Sequence, residues 1–102
     1  MGFFRHSLPQ LPWTQGAHPL ERKKPLADRP VTWLEFAPGF EDANWCRHGH
    51  AGLVVSGTFG LELETGTETL DAGEAFWVDS GTPHRARNAG PTPVVLFLVS
   101  RD

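Results

Sequence analysis

From residue 30 onward the apolar positions come in short runs rich in Val, Trp, Phe, Leu and Thr, each closed by Gly, Pro, Asp or Asn. Runs of that kind read as strands joined by turns. The clearest lies at residues 58–64, where Phe59, Leu61 and Leu63 alternate with Gly60, Glu62 and Glu64. A period of two gives one face of a strand to the core and the other to water. Ser56-Gly57 links this strand back to a run at 50–55 and Thr65-Gly66 leads on to one at 67–70, so the three are expected to form a meander. Further strands are expected at 31–36, 40–45, 75–79, 84–88 and 94–99. No stretch past residue 30 holds a 3.6-residue period over the roughly ten positions a helix needs. The pattern predicts an all-β body of about eight short strands, a sandwich or a small barrel.

The first thirty residues differ. They carry Pro9, Pro12, Pro19, Pro25 and Pro30, a density that blocks helix interiors and favours extended or irregular backbone. An extended N-terminal arm is expected at 1–29, with one edge strand at 20–26, followed by a barrel domain at 30–102. At 102 residues and 11.3 kDa the chain has room for one core. Its longest apolar run, 94–99, is far short of the ~20 residues of a membrane-spanning helix, so no membrane partner is expected. Phe3 and Phe4 alone stand where a signal peptide needs a longer apolar stretch, and His6 stands where a myristoylation signal needs Ser or Thr. With a single cysteine, Cys46, there is no internal disulfide, and the expected location is the cytoplasm.

Charge narrows the partners. The net charge of -3 divides unevenly, with five basic and two acidic groups in residues 1–30 against four and ten in 31–102. A body of that sign repels phosphate backbones, and Arg22, Lys23 and Lys24 are too few to form a nucleic-acid tail. Nucleic acid is therefore not an expected partner. Strand 94–99 is apolar on both faces, and Leu53 and Val55 are apolar on the face opposite His50. A strand of that kind needs a second cover, from the arm or from another copy of the chain.

Candidate chemistry gathers on histidine. Cys46, His48 and His50 share one face if the chain is extended there, and His84, past a turn, can meet them across the fold. Taken alone, H-x-H is more often a pair of exposed loop residues than a metal site. A free cysteine is, as commonly, a small buried hydrophobe. Arg85 and Arg87 have the opposite parity to His84 and are expected to point away from it. No carboxylate stands out as a general base. Trp33, Trp45 and Trp77 are expected in core packing before pocket walls.

The segment GEAFWVDSGTPHRARN, residues 73–88, resembles the second conserved motif of the cupin superfamily, G-x5-P-x-G-x2-H-x3-N. Gly73, Gly81, His84 and Asn88 fall in place and Asp79 replaces the proline. The resemblance extends over roughly residues 30 to 100. In the first cupin motif, G-x5-H-x-H-x3,4-E-x6-G, two registers compete. With His48 and His50 as the histidine pair, the glutamate and closing glycine positions fail. With His50 at the glutamate position, Gly57 closes the motif and the pair becomes Asn44 and Cys46. This second register also resembles a branch of small cupins carrying W-C-x-x-G-H-x-G, matched here by Trp45, Cys46, Gly49, His50 and Gly52.

The resemblance implies an antiparallel double-stranded β-helix, the jelly-roll barrel, with a metal held by His50 and His84. Cys46 and His48 compete for the third place, and Asn44 follows. Imidazole with thiolate and no carboxylate disfavours Mg and Ca, leaving Zn, Fe, Ni or Cu. It further implies a small-molecule ligand, anionic or enolisable, with metal-dependent dioxygenase or isomerase chemistry. The alternative is a non-catalytic cupin that binds or senses a small ligand, in line with the lost glutamate. The pairing habits of small cupins imply a homodimer.

Overall fold

The computed structural model describes residues 2–26 and 29–100. Met1, Ala27, Asp28, Arg101 and Asp102, which the expected ranges 1–29 and 30–102 include, lie outside the described residues. Nine strands run in order among the described residues: β1 (Thr14–Gln15), β2 (Glu21–Pro25), β3 (Val31–Phe36), β4 (His50–Ser56), β5 (Thr58–Leu63), β6 (Gly66–Asp71), β7 (Ala75–Val78), β8 (His84–Arg87) and β9 (Val94–Ser100). They form a six-stranded sheet in the order β1-β2-β3-β9-β4-β7 and a three-stranded sheet in the order β6-β5-β8. Every pairing is antiparallel. No helix of the described residues is long and apolar enough to cross a membrane.

The core is where the inward alternations of the two sheets meet. Leu34 and Phe36 of β3, Val54 of β4, Phe59 and Leu61 of β5, and Val94 and Leu96 of β9 are buried. Arg85 and Arg87 lie on the wet side of the smaller sheet, where both reach the carboxylate of Glu62, at 2.9 and 3.5 Å. Behind this core sits a buried Asn88. Its Nδ2 donates to the carbonyls of Phe36 (3.0 Å) and Thr92 (2.9 Å), and its Oδ1 accepts from the Gly90 N–H. The asparagine closing the second motif thus ties the β8–β9 connection to β3.

Three expectations need correction. Strands β4, β5 and β6 are not a meander, because β4 pairs with β7 and β9 while β5 pairs with β6 and β8. Ser56-Gly57 is a corner between sheets. Gly57 sits at φ +82°, and a Cβ there would fall 2.3 Å from the Pro93 carbonyl oxygen, so only glycine turns the chain this close to another backbone. Residues 40–45 make no strand but an irregular loop with an isolated bridge at Glu41 to Arg87. Its backbone groups pair singly with β8 and its flank, as in Asp42 N–H to Ala86 O and Asn88 N–H to Phe40 O. The tryptophans do not fill the core either. Trp77 is 60% exposed and Trp45 44%, while Trp33 packs edge-on against Phe97 on the outer face of the larger sheet.

The N-terminal segment adds to that sheet. β2 pairs along β3 from Glu21↔Phe36 to Pro25↔Thr32, and β1 pairs with β2. Trp13 is held between cations, with the Arg22 guanidinium 3.9 Å and the Lys24 ammonium 4.6 Å from its ring centre. Arg22 also pairs with Glu35, and Lys24, though buried, donates to the Leu8 carbonyl at 2.7 Å. The basic cluster is used inside the fold to fasten the arm.

Candidate metal centre

His50 opens β4 and His84 opens β8, so one imidazole comes from each sheet. Cys46 joins them through the backbone. It forms an isolated antiparallel bridge with His84, Cys46 N–H to His84 O at 2.7 Å and His84 N–H to Cys46 O at 2.9 Å. Residues that exchange both bonds lie directly opposite with side chains on one face. The loop holding Cys46 is pressed onto the turn before β8: Gly81 N–H donates to Arg47 O, and a Cβ on Gly49 would lie 2.7 Å from Ser80 Oγ.

The three side chains converge. Cys46 Sγ lies 3.8 Å from His50 Nε2, and the two imidazoles meet edge to face with centres 5.2 Å apart. One donor atom from each of Cys46, His50 and His84 lies within 4.8 Å of the others. Bonds of about 2.0–2.3 Å to a tetrahedral ion place such donors about 3.5 Å apart, so small side-chain rotations close the group.

His84 is held at one of its two ring nitrogens. Its Nδ1 lies 2.7 Å from the Thr82 carbonyl oxygen, which only accepts, so Nδ1 carries a hydrogen and Nε2 is the nitrogen left to offer a lone pair to a ligand. That Nε2 is buried with no hydrogen-bond partner among the described residues. A carbonyl on the far nitrogen is the usual support of a metal-ligating histidine. Two imidazoles and a thiol suit a soft or borderline divalent ion, and the residues present therefore fit a transition metal.

The donors border a cavity of about 540 Å³. His48, grouped with the other three by sequence, is exposed at the wall of this cavity and lies outside the three-donor group, its N–H 3.5 Å from Cys46 Sγ. Asn44 also lines the cavity and is exposed. Two carboxylates line it as well, Glu21 from β2 and Asp42 from the irregular loop; Asp42 is held by the Ala86 N–H at its Oδ2, 2.8 Å. The sequence offers no signal for either. Trp45 stands at the wall with the Arg85 guanidinium 4.7 Å above its ring centre.

Two antiparallel sheets with almost no helix, and donors converging from both onto an internal cavity, define a jelly-roll barrel with its site inside. The model of the cupin domain matches residues 32–100, and the chain belongs to the cupin family. No curated protein matches it in sequence. Among solved structures it is similar to the polyketide cyclase RemF from Streptomyces resistomycificus, with 22% identity over 96% of this chain and 78% of that one and a TM-score of 0.83. A sugar phosphate isomerase of the cupin superfamily from Silicibacter pomeroyi gives 14%, 96%, 75% and 0.79 by the same measures. KdgF from a Halomonas species gives 29%, 92%, 91% and 0.73. These likenesses share the fold, and the activities stated for the first two differ.

Proposed function

We propose that the protein is a metallo-cupin that binds a small enolisable molecule beside an ion held by Cys46, His50 and His84. The observation that carries this reading is His84 Nε2, buried, held as an acceptor by the Thr82 carbonyl, and facing a thiol and a second imidazole. The common use of transition metals among cupins supports it. Zn, Fe, Ni and Cu all suit the donors. When bound, such an ion supplies Lewis acidity that polarises a ligand oxygen. The chain supplies the rest. Thr82 fixes the His84 ring, the inward apolar side chains exclude water, and Asp42, anchored by the Ala86 N–H, takes a proton from the ligand carbon.

The activities named for RemF and for the Silicibacter isomerase support an enzyme of the isomerising or cyclising kind. A specific observation favours the second reading, capture without turnover: His50 stands where the first cupin motif has its glutamate. Elemental analysis of untagged protein tests the centre, and proton exchange at an enolisable carbon, followed by NMR in heavy water, separates the readings. Exchange that depends on metal and is lost in Asp42→Asn supports the enzyme; a bound ligand that shifts the melting temperature without exchange supports capture. The same proposal includes a homodimer, supported by the exposed Leu53, Val55 and Trp77 on the outer face of β4 and β7. It also includes a cytoplasmic, reducing location, which keeps Cys46 a thiol.

A further inference from the structure

We infer that the cavity takes a neutral ring-bearing molecule with an oxygen at one edge, in preference to a sugar phosphate or a small carboxylic acid. For the oxygen end this rests on the metal-centred reading; for the ring end it does not.

The register of β4 and β9 sets out the interior in layers. His50 lies opposite Ser100, Gly52 opposite Leu98, and Val54 opposite Leu96. Moving away from the donors, the inward positions therefore become wholly apolar, and Leu61 and Phe59 face them from the smaller sheet. Three aromatic rings run through this region. Phe76 and Phe59 have centres 5.5 Å apart, and Phe59 and Phe36 are 6.3 Å apart and stacked. Phe76 reaches the interior because position 52 is glycine; a Cβ there would lie 2.4 Å from its ring. A sugar placed against such a wall sheds the hydration of its hydroxyls with no donor or acceptor to replace it. A flat ring exchanges water for dispersion contacts and aromatic packing.

Charge points the same way. Arg47 is the one guanidinium or ammonium among the described residues lining the cavity, and it is exposed and directed 3.3 Å from the Gly81 carbonyl. Glu21 and Asp42 oppose it. The site holds no cluster of cations of the sort that recognises phosphate, and its carboxylates repel an anionic body. The volume, about 540 Å³, also exceeds what a three-carbon acid fills and lies in the range of cavities that enclose ring compounds.

Calorimetric titration of the full chain tests this with two pairs of probes. On zinc-loaded protein, 2,3-dihydroxynaphthalene is expected to bind at least tenfold tighter than catechol, and both tighter than pyruvate or glucose 6-phosphate. On metal-free protein, 2-naphthol is expected to bind at least fivefold tighter than phenol. Ala86→Leu, which fills the cavity from β8, is expected to remove the second-ring gain while leaving zinc content unchanged; Leu98→Phe does the same from β9 if the first variant fails to fold. Equal binding within either pair, tighter binding of pyruvate or glucose 6-phosphate, or a second-ring gain that survives cavity filling overturns the inference. A protein that holds no zinc yet keeps the naphthol preference and loses it on filling refutes the metal-centred reading and leaves the ring site standing.

Discussion

Buried polar side chains are the residues with most at stake, because each loses water and must recover its hydrogen bonds from the protein or from a ligand. Asn88 recovers all of its own, so Asn88→Ala strands the Phe36 and Thr92 carbonyls and is expected to lower stability by about 2–3 kcal/mol in urea unfolding. His84 recovers one and leaves Nε2 for a ligand. His84→Ala is accordingly expected to abolish stoichiometric metal by elemental analysis while the circular dichroism spectrum keeps its β character. Cys46→Ala is expected to weaken zinc affinity by at least about a hundredfold, the upper end of what changes outside the ligand sphere produce; unchanged affinity removes the thiolate from the site. Both His84 and Asn88 are legible in the sequence because the spacing of one motif fixes them. Asp42 and Glu21 are not, since Asp42 sits on an irregular loop where a strand is expected, and nothing in the edge strand expected at 20–26 marks Glu21 as reaching a cavity.

At the scale of elements, short apolar runs closed by turn residues locate the strands β3, β4, β5 and β9 to within a residue or two, and in β5 the burial of one face also leaves a mark at every second position. Connections leave a poorer mark. Ser-Gly reads alike in a hairpin and in a corner between sheets, and what decides is the backbone of Pro93 and Val94 lying against Gly57, distant in sequence. Gly57→Ala is expected to cost about 2 kcal/mol or more, since it combines a left-handed backbone penalty with a collision against a carbonyl that has nowhere to move. The arm is legible as extended and as joined to the sheet by one strand, expected at 20–26 and found at Glu21–Pro25, but its side-chain fastening is not. Its fastening is a tryptophan between two cations, and Trp13→Ala is expected to release it, read as new proteolytic cleavage ahead of residue 20 with the remaining barrel protected.

For the molecule as a whole, the outer face of the larger sheet remains partly bare where Leu53 and Trp77 stand 42% and 60% exposed. Light scattering is expected to give twice 11.3 kDa, and Trp77→Lys with Leu53→Lys to return the monomer mass with an unchanged fold; a monomer mass for the parent chain rejects the pairing. The two sheets share no ladder of backbone hydrogen bonds among the described residues and are held face to face chiefly by their common core. His50 belongs to one sheet and His84 to the other. On the proposed reading an ion between them would be a rivet through both leaves of the sandwich, and thermal unfolding would have to expel it. At a free ion concentration about a hundred times the dissociation constant, mass action adds about 2.7 kcal/mol to stability, a rise of roughly 10–20 °C in melting temperature for a domain of this length. The melting temperature should then climb with the logarithm of metal concentration, which would make heat resistance itself a gauge of how much metal the surroundings supply.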